Sequence, residues 1–168
     1  TVVEIYKGNF SVLASAINLS SDGNFVTGTE TFSKGTADYY VILNDGRSSK
    51  VLKQVSDPAT SLVFFKADLT NIPVVNLANS KDLSTGEKVL FIKNSPQNFK
   101  SIINLNNVNF SQTDISGQTF QSDYPRRSFG TQSVQALVSG QALANTKAEI
   151  IGIWNGASII SSDVLKQA

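Results

Sequence analysis

Any chemistry in this chain has to be done without imidazole or thiol, because the 168 residues include no histidine and no cysteine. A Ser-His-Asp or Cys-His mechanism needs a side chain whose pKa near neutrality lets it take and return a proton. The count alone excludes that relay. It also excludes disulfides, thiolate zinc sites and histidine-based metal sites. Carboxylates, lysines, tyrosines and hydroxyls remain. Asp22, Asp45 and Asp57 each fall in a turn signal, which explains them without a cation, so no metal or cofactor is expected. Trp154, the only tryptophan, ends an apolar run and reads as a core or rim residue. Arg126–Arg127 reads as a solvated pair, with proteolytic nicking as the alternative. Thr1 opens directly on a strand pattern and reads as the boundary of a mature or trimmed chain rather than as a nucleophile.

The elements that would position such groups are short strands with turns between them. TVVEIYK (1–7), SVLASAINL (11–19) and NFVT (24–27) begin the series. YYVIL (39–43), KVLKQV (50–55), SLVFFK (61–66), VVNL (74–77) and KVLFIK (88–93) continue it. Ser95–Pro96 marks a boundary between halves. SIINL (101–105) and NVNF (107–110) alternate, so Ile103, Leu105, Val108 and Phe110 can share a core face. The polar stretch from Gln112 to Thr131 predicts a long exposed loop. SVQALV (133–138), EIIGIW (149–154) and ASII (157–160) complete the strands. The tail reads as a helix, with Ser162 as N-cap, Asp163 in the first turn and Lys166 near the end. The pattern predicts an all-β barrel or sandwich.

Composition narrows the partners. Hydrophobic residues make up 40% and charged residues only 16%, with a net charge of +1. No field steers nucleic acid or an anionic membrane toward such a surface. No apolar run approaches the roughly 18 residues that span a membrane, so no membrane insertion is expected within this segment.

One resemblance runs nearly end to end. SSDGNFVTGTETF (20–32) resembles the HtrA-family segment S-x-D-G-Y-I-L-T-N-x-H-V-V, and LASAINL (13–19) falls on that family's G-S-G-F-I-x motif. VILNDGR (41–47) is similar to its next strand and turn. SDPATSLVFFKAD (56–68) resembles T-D-P-x-T-D-L-A-V-L-K-x-D. NIPVVNLANSKDLSTGEKVLFIKNSP (71–96) resembles L-P-x-x-x-L-G-D-S-D-x-L-x-V-G-x-x-V-x-A-I-G-N-P. SGQALANTKAEIIGI (139–153) is similar to S-G-G-P-L-x-N-x-x-G-E-V-I-G-I, and NGASIISSDVLKQA (155–168) to the segment that follows it. The matches keep family order and near-family spacing, and they cover most of the chain except Phe99 to Phe129.

The resemblance implies a chymotrypsin-like double β-barrel with a short C-terminal helix. It places an N-terminal barrel in 1–97 and a C-terminal barrel plus helix in 98–168, together one trypsin-like domain. The family's histidine position carries Glu30, its aspartate position Ser61 and its serine position Ser139. The oxyanion-hole glycine position carries Leu137. Asn155, Gly156 and Ser158 fall where a peptide-binding strand would run. A carboxylate with an ordinary pKa is a poor base toward a serine hydroxyl, and Ser61 carries no charge. These occupants imply a catalytically inactive pseudoprotease that binds or scaffolds a protein or peptide partner. The alternative is a serine hydrolase that uses Ser139 with a non-histidine base. HtrA-type proteases often form trimers and carry a following PDZ domain, so an oligomer is compatible with the reading. The family also implies a location outside the cytoplasm, through a removed N-terminal segment.

Overall fold

The computed structural model describes residues 2–6, 9–32, 38–43, 45–79, 88–94, 108–116, 128–131 and 139–166. The first half forms an antiparallel sheet of seven strands. These are β1 (Val2–Tyr6), β2 (Asn9–Ala14), β3 (Ile17–Asn18), β4 (Asn24–Gly28), β5 (Asp38–Ile42), β6 (Ser48–Asp57) and β7 (Leu62–Ala67). Their order is β2-β1-β5-β6-β7-β4-β3. The two outermost strands, β2 and β3, are consecutive in the chain and joined only by Ser15 and Ala16. So short a link holds the edges within about 11 Å of each other, which curls the sheet into a half-barrel.

The second half contains β8 (Lys88–Asn94), β9 (Val108–Ser116), β10 (Ser128–Thr131), β11 (Ala142–Asn145), β12 (Ile150–Trp154) and β13 (Ile159–Ser161), followed by helix α1 (Ser162–Lys166). These strands close into a barrel ordered β10-β13-β12-β11-β8-β9, with β9 pairing back to β10. The fold is therefore the all-β, chymotrypsin-like arrangement with a short C-terminal helix.

Several expectations need correction. β8, which lies within the expected N-terminal barrel (1–97), bonds to β9 and β11 of the second sheet. Val74–Leu77 is not a strand. It belongs to a strap between the halves that makes one parallel bridge, Leu77 to Ile150. The strap is held by Ile150 N–H on Asn76 O (2.7 Å) and Ala78 N–H on Ile150 O (2.9 Å). The expected loop from Gln112 is strand as far as Ser116, because the ladder to β8 continues through Leu90–Gln112 to Lys88–Asp114. Ser128–Thr131 is likewise strand. The Ser162 hydroxyl does not serve the helix end, since it is fully buried and donates to Ala78 O at 2.7 Å. The predicted strands 101–105 and 133–138, the Ser95–Pro96 boundary and Arg126–Arg127 lie outside the described residues.

Packing joins the halves into one unit. Ile17, Val26 and Leu62 of the first half share a buried cluster with Ala144, Ile150, Ile153, Ile160 and Leu165 of the second. Within the first sheet, Phe25 stacks on Phe65 with ring centroids 5.4 Å apart, and Phe32 meets Phe65 edge-on at 5.3 Å. Burying aromatic side chains contributes about 1.5–3 kcal/mol each, and the shared cluster means that neither sheet completes its core alone. Among the described residues no helix is long and apolar enough to cross a membrane.

Candidate functional site

β4 ends at Gly28, and the chain turns at once into a 3₁₀ turn, Thr29–Phe32, that carries Glu30 on its exposed side. Ser61 closes the turn between β6 and β7. Asp57 organises that turn: it accepts from Ala59 N–H at 3.0 Å and from the Thr60 hydroxyl at 2.7 Å. Ser61 itself is exposed and takes a left-handed φ of 54°. The two turns are bonded directly, Thr29 N–H donating to Ser61 O at 3.1 Å.

Ser139 and Gly140 form the turn that enters β11, and the break between β2 and β3 grips them. Ser15 N–H donates to Ser139 O at 2.9 Å. Ser15 O in turn accepts from the buried Thr27 hydroxyl at 2.7 Å, and Thr27 Oγ1 lies 3.2 Å from Thr31 Oγ1. Gly140 N–H donates to Trp154 O at 2.7 Å. At φ +80° Gly140 tolerates no side chain, since a Cβ would overlap both Ser15 O and Thr27 Oγ1.

The Ser139 hydroxyl points inward. The residue is 7% exposed, and its Oγ is buried with no hydrogen-bond partner among the described residues. It fills the space where a Cβ on Gly28 would stand; that Cβ would also come within 2.7 Å of Asn155 O. A hydroxyl must reach a carbonyl carbon at about 3–3.5 Å to attack it, and this one is sealed beneath β4 instead.

Asn155 is the hub that sequence reasoning assigned differently. Its Nδ2 donates to Thr60 O at 2.7 Å, which ties the second half to the Ser61 turn. Its Oδ1 accepts from Ala157 N–H at 2.9 Å and Ser158 N–H at 2.8 Å, and its own N–H donates to Ser158 O at 3.1 Å. Residues 155–158, where a peptide-binding strand was expected at Asn155, Gly156 and Ser158, form a self-closed turn in which Asn155 Oδ1 takes the N–H groups of Ala157 and Ser158. Asn155–Gly156 is itself a turn dipeptide, and that signal was available in the sequence. The Glu30 carboxylate lies over this turn, with Oε1 2.5 Å from where a Gly156 Cβ would sit.

The structure thus gathers the Glu30 turn, the Ser61 turn and Ser139 around Gly28 and Asn155. Ser139 meets Gly28 rather than a base. Leu137 lies outside the described residues. Gly28, Thr27 and Ser15, which sequence reasoning did not single out, form the floor. Among the described residues no cluster of acidic side chains could hold a metal ion.

No family model matches the chain. It is 30% identical over 146 residues to a probable periplasmic serine endoprotease DegP-like of Pseudomonas putida, an alignment covering 84% of this chain and 28% of that protein. A relative of the same description from Halomonas elongata is 34% identical over 80 residues, covering 48% of this chain and 17% of that protein. The chain therefore spans well under two thirds of the length of these relatives. Among solved structures, that of Deg5 superposes with a TM-score of 0.73 at 19% identity, covering 99% of this chain and 84% of that one. Sequence likeness and fold together place the chain in the family of HtrA-type, trypsin-like serine protease domains.

Proposed function

We propose that this domain is a catalytically inactive HtrA-type pseudoprotease that acts by binding protein partners. One observation carries the reading: in a chain with no histidine, the Ser139 hydroxyl is buried against Gly28 with no hydrogen-bond partner among the described residues. Acyl transfer needs a nucleophile beside a base and open to substrate, and among the described residues no base is bonded to the buried Ser139 hydroxyl. Glu30, Ser61 and Ser139 are, in this reading, the degenerate remnants of a triad. The alternative hydrolase would need a lysine or carboxylate bonded to Ser139 Oγ, and among the described residues none is. The relatives are named periplasmic, and the same location outside the cytoplasm is proposed for this domain.

The test is a fluorophosphonate probe followed by intact-mass measurement. No adduct is expected at Ser139, and a stoichiometric adduct there would overturn the reading. The double substitution Glu30→His with Ser61→Asp is also expected to stay unlabelled, because the hydroxyl still faces Gly28.

A further inference from the structure

The bond that joins the two halves at Asn155 rests on a dipeptide with chemistry of its own. Asn155–Gly156 is the only asparagine–glycine pair in the chain. The amide carbon of an asparagine is open to attack by the backbone nitrogen of the next residue, which closes an imide ring. Glycine hinders that attack least, because it has no Cβ and its backbone turns freely.

The fold leaves little room for a more inert pair. The side chain at 155 donates to Thr60 O and at the same time accepts from Ala157 and Ser158 N–H. An aspartate of the same length would keep the acceptor and lose the donor. Residue 156 stands at φ +106°, and a Cβ there would come within 2.5 Å of Glu30 Oε1, so glycine is required.

In the closed structure the pair is restrained. Shortage of water is not the reason, since Gly156 is exposed. Asn155 is 8% exposed, and its amide is tethered at both ends by bonds of 2.7, 2.9 and 2.8 Å. Ring closure swings Cγ onto the Gly156 nitrogen and expels Nδ2. The bond to Thr60 O therefore has to break first, and that bond spans the two halves.

We propose that Asn155 is a deamidation site gated by separation of the two halves. When Asn155 leaves Thr60, a solvent base takes the Gly156 N–H proton and the nitrogen bonds to Cγ. The Cγ–Nδ2 bond breaks, and Nδ2 takes up a proton and leaves as ammonia. One water then adds to the imide and opens it to aspartate or isoaspartate. The product has no donor for Thr60 O, and it places a charge at a position shielded from water, on a turn that Glu30 already overlies. Each opening thus carries the chance of a one-way change that leaves the halves loosened. The site does not depend on whether Ser139 is inert, so the two readings fail separately.

The test incubates the full chain at mildly alkaline pH, in buffer and in unfolding urea, and reads amide-to-acid conversion at 155 by peptide mass. In urea Asn155 is expected to convert ahead of every other asparagine. In buffer it is expected to convert at least about tenfold more slowly, because only the open fraction reacts. Asn155→Asp, which makes one of the two products directly, is expected to lower the urea midpoint, while Asn76→Asp, at an exposed position, leaves it nearly unchanged. Conversion at 155 as fast in buffer as in urea overturns the proposal, and this comparison uses the unsubstituted chain alone. An Asn155→Asp chain with an unchanged midpoint overturns it as well.

Discussion

Around Ser139 and Gly140 almost every contact is made by the backbone, through Ser15, Trp154 and the Thr27 hydroxyl. A few ångströms away, Glu30 and Ser61 stand in solvent on the surfaces of their turns. The floor is held by backbone bonds at close quarters, so it tolerates little added volume at Gly28 or Gly140. At the rim, Glu30 and Ser61 face solvent, where a change of side chain disturbs little. A shared fold does not by itself carry an activity.

The sharpest way to break that contrast is Gly140→Ala. The new Cβ would meet the Ser15 carbonyl at a positive φ, and strain plus overpacking should cost about 3 kcal/mol or more. Urea unfolding would show it as a lowered midpoint at unchanged slope. Asn155→Ala comes next. It strips Thr60 O and two N–H groups of their partner and should cost about 2–3 kcal/mol by the same measurement.

Ser139→Ala has the opposite sign. It removes a buried hydroxyl that has no hydrogen-bond partner among the described residues, so stability should hold or rise by up to about 1 kcal/mol. Gly28→Ala should cost about 1–3 kcal/mol, and less when Ser139 is also replaced by glycine. A double-mutant cycle reads that coupling directly, and additivity would show that Ser139 Oγ does not occupy the Gly28 seat.

The smallest effect is expected at the exposed end of the same sheet. Lys66 bonds Asp22 at 2.8 Å, and Ser20 donates to the same carboxyl, which together hold it down to about 2 from its ordinary 3.8. A lowered carboxyl pKa favours the fold above about pH 3.8, and the advantage fades as pH falls toward 2. Both groups face solvent, so the contribution is screened. Lys66→Met should raise the Asp22 titration midpoint, read by carboxyl-carbon NMR, while leaving the unfolding midpoint nearly where it was.

Most strands could be read from short runs of β-branched and aromatic residues between turn signals, as in YYVIL and KVLFIK. Ala142–Asn145 was missed because its alanines carry little pattern; its place between β8 and β12 makes it strand. Gln112–Ser116 is polar throughout and is strand only because β8 lies beside it, a case of tertiary pairing overriding local preference. VVNL has strand composition but is spent as a strap. At the site, the missing histidine was legible by counting, and the resemblance pointed to Glu30, Ser61 and Ser139. The inward turn of Ser139 was not, since it depends on the absence of a side chain at Gly28, which lies at the end of β4 and far in sequence from the Ser139 turn.

The bond from Asn155 to Thr60 closes a loop of 95 residues, and the Ser15–Ser139 bond closes a longer one. Closures of that span are slow and come after local hairpins have formed. Contacts made after the folding transition state act chiefly on how fast the native chain comes apart. These two long-range bonds would act as a clasp, setting the lifetime of the folded domain.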